Sequence, residues 1–377
     1  MKSNHAATQE LLSHILRKAL GMPCPCPAGR LSQQQFREIE KEAARQTVSG
    51  LLYHAVISKD LDVDLSPNDA VRVLTTDTRL RFTNKKIDDA LISLTRLLQS
   101  RNIRFVVVKG QTIAALYPEP YCREPGDIDF YVWPEDFSRA RHTIEAAWHI
   151  EMKESEEQHI SFTYDGVLFE MHFLLLKLYS RRRQEAFDRM IAASRPTLIH
   201  VGDAEVPVLD EIPNIVYTFA HLWYHFVELG VGLRQLCDLA ILINRSFPCD
   251  LDEKCLQART ASLIAMLDSL EMRGAFAIVE CVMHDYLGLT RLPLPVSRSV
   301  QAMSGIMTKR IFKYGNFGKY GRNGQRGEWK FYVRLLADRI ITILRFRNYD
   351  KKELTARLIK EVPSKMWRVI SGRAAED

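Results

Sequence analysis

Residues 123–132 read REPGDIDFYV. A proline and a glycine give way there to an apolar, β-branched and aromatic run, the composition of a buried strand. Two aspartates, Asp127 and Asp129, interrupt that run one residue apart. A folding argument wants neither, because a buried carboxylate is costly unless it is paired. Residues two apart in a strand project from the same face, so the two carboxylates stand together while Ile128 points away. Side by side they repel, and a hard divalent ion such as Mg²⁺ or Mn²⁺, which takes oxygen ligands, relieves the repulsion.

The neighbouring stretches add parts to this pair. Upstream, IRFVVV (103–108) is a short, nearly continuous apolar run and predicts a buried strand; KGQTIAALY (109–117) follows with a glycine turn and a helical period. Free N–H groups at a helix start, with Lys109 beside Gly110, make an anion site. Arg123, four residues before Asp127, offers a guanidinium that matches phosphate oxygens. Downstream, PEDFSRARHTIEAAW (134–148) is a helix opened by Pro134, and HISFTYDGVLFEMHF (159–173) is two β-rich runs joined by Asp165-Gly166, a hairpin signal. On the return strand Val167, Phe169, Met171 and Phe173 share one face, which leaves Leu168, Glu170 and His172 on the other. Glu170 is thus the third acid a neighbouring strand can bring to the aspartates, while Asp165 belongs to its turn.

The rest of the chain is helical in period. Four regions are expected: helices over 1–99, a small sheet region over 100–205, a helical bundle over 206–300, and a basic, glycine- and aromatic-rich segment with C-terminal helices over 301–377. Segment 309–330 suits single-stranded RNA by charge and stacking, an anionic membrane surface, or a solvated loop. His221 and His225 have the i,i+4 spacing of a helical zinc site, but Leu222 stands where a metalloprotease places glutamate, so buried, hydrogen-bonded histidines are the simpler reading. Arg234 and Asp238, also at i,i+4, read as a helix ion pair. His172 either orients a metal ligand or is an inward histidine with a satisfied hydrogen bond.

Composition narrows the classes. The 377 residues carry 52 Lys+Arg against 46 Asp+Glu, a formal charge of +6, which favours anionic ligands only weakly. Seven cysteines lie at spacings that suggest neither zinc nor a disulfide framework, so reduced thiols are expected. The N-terminal residues lack the pattern of a signal peptide and no run is apolar enough to cross a bilayer. A cytoplasmic protein is expected.

KGQTIAALYPEP (109–120), REPGDIDFYV, LFEMHF (168–173) and HLWYHFVELGVGLRQLCDLAILI (221–243) together resemble the nucleotidyltransferase-fold proteins of the DNA polymerase β type, in an uncharacterised bacterial branch, over residues 31–245. The resemblance implies an α+β fold, a small mixed sheet flanked by N- and C-terminal helical regions. It implies two ions, Mg²⁺ or Mn²⁺, on Asp127 and Asp129 with Glu170 as third acid, and a nucleoside triphosphate whose phosphates meet Lys109, Gly110, Gln111 and Arg123. An acceptor would attack the α-phosphorus and release pyrophosphate, with His172, Arg234 and Asp238 near the cleft. The acceptor is a small molecule, a sugar phosphate or a protein side chain; nucleic acid is less favoured because no RNA-binding module is recognisable. One departure stands out. Such proteins place a small residue, often serine, after the glycine, and here it is Gln111. A catalytically inactive nucleotide-binding protein, regulatory or scaffolding, is therefore the alternative.

Overall fold

A computed structural model describes residues 2–24, 29–153, 158–290, 292, 294–320 and 329–370. Four helices come first: α1 (Lys2–Ala19), α2 (Gln33–Gln46), α3 (Ser49–Ile57) and α4 (Pro67–Ser100). Their starts follow local chemistry. Ser32 and Gln35 form a reciprocal capping box on α2, and the Ser66 side chain accepts from the Asp69 N–H with Pro67 in the first turn of α4.

Next come β1 (Phe105–Val108), α5 (Gly110–Ala114), β2 (Ile128–Val132), α6 (Pro134–Trp148), β3 (His159–Tyr164) and β4 (Val167–His172). The four strands form one sheet in the order β1-β2-β4-β3. β1 runs antiparallel to β2, β2 parallel to β4, and β4 antiparallel to β3. Asp165 and Gly166 both take positive φ, 48° and 68°, as a tight two-residue hairpin turn requires. α7 (Arg181–Ala193) and a separate hairpin, β5 (Thr197–Val201) and β6 (Ala204–Val208), follow.

Both faces of the sheet are covered, which is why β1 and β2 read as nearly continuous apolar runs. Phe105, Val107, Ile128, Phe130, Phe169 and Met171 pack with Leu91, Leu94 and Leu98 of α4 and Ile144 of α6. Val106, Val108, Tyr131 and Trp133 point the opposite way, into the core of a helical bundle. That bundle contains α8 (Glu211–Glu228), α9 (Leu233–Ser246), α10 (Glu253–Ser269), α11 (Arg273–Leu287) and α12 (Arg298–Tyr314). The chain is thus α+β, with a small mixed sheet between helical regions.

α13 (Trp329–Phe346) and α14 (Lys351–Ile370) close the bundle. Phe346 packs against Trp223 and Phe226 of α8, and Asp350 accepts from Arg183 Nη1 at 2.6 Å and Trp223 Nε1 at 3.0 Å. The basic segment is not one loop. Residues 309–314 are the last turns of α12, Phe317 packs on His225, and Tyr320 lies under the Arg45 guanidinium; residues 321–328 lie outside the described residues.

Candidate active site

The site lies on the sheet face that looks into the bundle. Asp129 sits in β2 directly across from Glu170 in the parallel β2–β4 register, and Asp127 immediately precedes the strand. One oxygen from each of the three carboxylates lies within 4.8 Å of the others. The antiparallel β1–β2 register places Val108 across from Asp129, so the next residue, Lys109, leaves the sheet beside the acids. Its Nζ stands 3.1 Å from Asp129 Oδ2.

The two aspartates are electrostatically different. Burial pushes the Asp129 carboxyl up, but the Lys109 ammonium and then the His172 imidazole, 2.9 Å from Oδ1, outweigh it and hold the group well below the usual carboxylate range. Asp127 is raised, first by burial and then by repulsion from Asp129. Asp129 is therefore the more acidic of the two and is paired with Lys109. Lys109 stays charged despite its burial because Asp129 faces it. His172 is raised as well: burial opposes its charge, but the contacts to Asp129 and Glu170 outweigh burial.

The turn that carries Lys109 is strained. Lys109 adopts φ 58°, ψ −147°, a region close to one that glycine alone enters freely, at a cost of about 1–3 kcal/mol. Gly110 follows at φ 52°, and a Cβ there would stand 3.4 Å from the Asp127 carbonyl. Strain at the residue that pairs with Asp129 is the kind of backbone feature that clusters at working sites. α5 is only five residues long, so its dipole adds little, and the turn offers chiefly its backbone N–H groups and the ammonium.

Other residues singled out in the sequence are placed elsewhere. Arg123 is buried, and its Nε and Nη2 bind Asp238 at 2.8 and 2.9 Å, where Tyr117 also donates at 2.7 Å. The helix pair Arg234–Asp238 is thereby replaced: Asp238 serves Arg123, and Arg234 Nη1 donates to the Glu124 carbonyl at 3.0 Å. Arg123 and Arg234 thus hold the 123–126 loop that leads into Asp127, and a guanidinium fixed at both ends of its fork is not spare for a phosphate. Gln111 is buried with its amide on Asn84 and Asp88 of α4, turned toward the helix.

Two residues join the site that the sequence alone did not assign to it. His221 of α8 reaches Lys109 Nζ, 3.3 Å from its Nε2, so it is neither a zinc ligand paired with His225 nor a remote core histidine. His159 of β3 stands directly across from His172 in the antiparallel register and 3.8 Å from Glu170 Oε2.

A sheet of this order, with two carboxylates on adjacent strands and a third just before one of them, after a glycine turn, defines a nucleotidyltransferase-type α+β protein. The chain belongs to the family described as uncharacterised nucleotidyltransferase, which it matches over residues 32–268. A solved structure of an antigenic nucleotidyltransferase-like protein from Paracoccidioides brasiliensis is similar at 13% identity and a TM-score of 0.32, over 49% of this chain and 92% of that one. No curated protein matches the chain. Among the described residues no helix is long and apolar enough to cross a membrane.

Proposed function

We propose that the protein is a divalent-metal-dependent enzyme that transfers a nucleoside monophosphate from a nucleoside triphosphate to an acceptor and releases pyrophosphate. The observation that carries this reading is the convergence of Asp127, Asp129 and Glu170 within 4.8 Å, on the strands that the Lys109–Gly110 turn abuts. The donor set fits Mg²⁺ or Mn²⁺: three carboxylates with raised mutual repulsion, one of them already balanced by an ammonium. When bound, such ions supply Lewis acidity toward phosphoryl oxygens and charge balance at the leaving group.

The chain's own groups do the positioning. Asp127 and Asp129 hold the cation face of the site, and Glu170 completes it. Lys109 presents an ammonium to the phosphates, and Gly110 lets them approach the backbone. His172 keeps Asp129 in place through the 2.9 Å contact. The acceptor is a small molecule, a sugar phosphate or a protein side chain, and the enzyme works in a bacterial cytoplasm. Gln111 favours a second reading, a nucleotide binder without turnover, because its side chain fills the position after the glycine and faces α4.

Pyrophosphate release separates the two. With Mg²⁺ and each of the four common triphosphates, the full chain should release pyrophosphate slowly to water or an added hydroxyl acceptor. Asp129→Asn should reduce this on the order of 100-fold or more, since the site loses several kcal/mol of charge stabilisation. Asp165→Asn, in the hairpin turn, should leave it unchanged. Triphosphate-dependent thermal stabilisation with no pyrophosphate from any acceptor would favour the binder; orthophosphate would place attack at the γ-phosphorus.

A further inference from the structure

We infer that the sheet carries a second metal position, one strand over from the carboxylates, built from His159, Glu170 and His172 and suited to a transition ion such as Zn²⁺ rather than to Mg²⁺. It shares Glu170 with the acidic cluster and so rests on reading that cluster as an ion site. It does not require that the site transfer nucleotides.

The two-residue turn at Asp165-Gly166 sets the β3–β4 register, which places His159 across from His172 and Ser161 across from Glu170. Glu170 and His172 are two apart on β4, so all three functional side chains rise from the same face as Asp129. Each offers a donor atom within 4.8 Å of the other two. His172 Nε2 lies 3.4 Å from Glu170 Oε2, and His159 Nε2 lies 3.8 Å from the same oxygen. Donors around a tetrahedral ion with bonds of about 2.1 Å stand about 3.4 Å apart, so the His172–Glu170 distance already fits, the His159–Glu170 distance needs a few tenths of an ångström, and the two imidazoles, within 4.8 Å, would have to close on the ion.

A second observation concerns the other nitrogen of His172. The residue is 7% exposed, and Nδ1 is buried with no hydrogen-bond partner among the described residues. The nitrogen that faces the cluster is Nε2, set against Asp129 and Glu170 with the second imidazole 4.9 Å away between ring centroids; as an ion ligand it would exchange its Asp129 contact for the ion and leave Nδ1 as its N–H.

Donor type then sets the class of ion. Two imidazoles and one carboxylate suit zinc and its neighbours, whereas Mg²⁺ keeps to oxygen and gives up its water reluctantly. Neighbouring strands lie about 4.8 Å apart, so a position between β4 and β3 falls roughly one strand spacing from a position between β2 and β4.

The test reads occupancy, not turnover. Full-length protein is dialysed to equilibrium with Zn²⁺ in a large excess of Mg²⁺, and bound zinc is counted. Wild type should hold one tight Zn²⁺ per chain, and so should Asp127→Asn. His159→Gln and His172→Gln should weaken it at least about 100-fold, since even loss of an outer-shell partner costs ~10–100-fold. Ser161→His adds a fourth donor across from Glu170 and should tighten zinc about tenfold or more, a gain that does not depend on a damaged variant folding. Zinc displaced by Mg²⁺, equal loss in Asp127→Asn and His159→Gln, or no gain from Ser161→His would each overturn the assignment. None of these outcomes bears on pyrophosphate release, so the two readings fail separately.

Discussion

His221, against Lys109, and His225 pack with tilted rings 4.3 Å apart between centroids, and both are kept neutral, by burial first and by the Lys109 ammonium second. An unfolded imidazole takes its proton near pH 6.5, whereas His225 in the folded chain does so only at about 4. Between those values the unfolded state binds more protons, so stability present at neutral pH is lost as the pH falls through the window, by up to about 3 kcal/mol. Unfolding free energies from urea titrations between pH 6.5 and 4 should therefore slope less steeply for His225→Gln than for wild type. Equal slopes would mean that His225 is charged in the folded protein. At this scale the sequence showed the acids, because period-two parity needs only local structure. It did not show Lys109 on Asp129, which depends on the β1–β2 register across twenty residues, nor Asp238 on Arg123, a helix-to-loop pairing between distant positions that the i,i+4 spacing of Arg234 and Asp238 masks. His159 was within reach: a two-residue turn fixes its partner as His172.

Among the elements, α3 approaches the 3₁₀ turn Pro120–Cys122 closely enough to require a glycine. A Cβ on Gly50 would stand 2.3 Å from the Cys122 carbonyl oxygen, and a backbone atom cannot move aside as a side-chain tip can. Gly50→Ala should lower stability by about 1–3 kcal/mol, seen as an earlier urea midpoint, and should disturb the loop that carries Arg123 and Asp127. A wild-type midpoint would show that the turn has room to move. Of the elements themselves, the strands β1 and β2 and the β3–β4 hairpin are written in local composition. The β5–β6 hairpin is marked by Gly202-Asp203, with Gly202 at φ 57°, yet Pro207 inside the second run argues against a strand and hides it. The order β1-β2-β4-β3 is not local at all, since it depends on α6 carrying the chain past β2 to lay β4 parallel beside it.

For the molecule as a whole, the join between the C-terminal helices and the bundle passes through Asp350. It and Arg183 are both fully buried, 167 positions apart, with Trp223 as a third member. Removing one partner of a buried pair strands the other's charge, so Asp350→Ala should cost about 3–5 kcal/mol, while Arg183→Met with Asp350→Leu should cost less than the single change. Denaturant titrations of both variants check this; a double variant worse than the single would mean the pair is net stabilising. Periodicity identified the helices on either side of this join, but no local pattern announces which buried arginine meets which aspartate.

The Lys109–Asp129 contact has a consequence for how ligands communicate. In the resting protein the ammonium is a tethered competitor for any cation that seeks Asp129. An anion that draws Lys109 toward itself removes that competitor, and a cation that takes Asp129 releases Lys109 to meet an anion. Thermodynamic reciprocity makes the two effects equal in free energy. A cation and an anionic substrate meeting at this strand would thus bind with positive cooperativity even without touching each other, through one lysine that either of them can free.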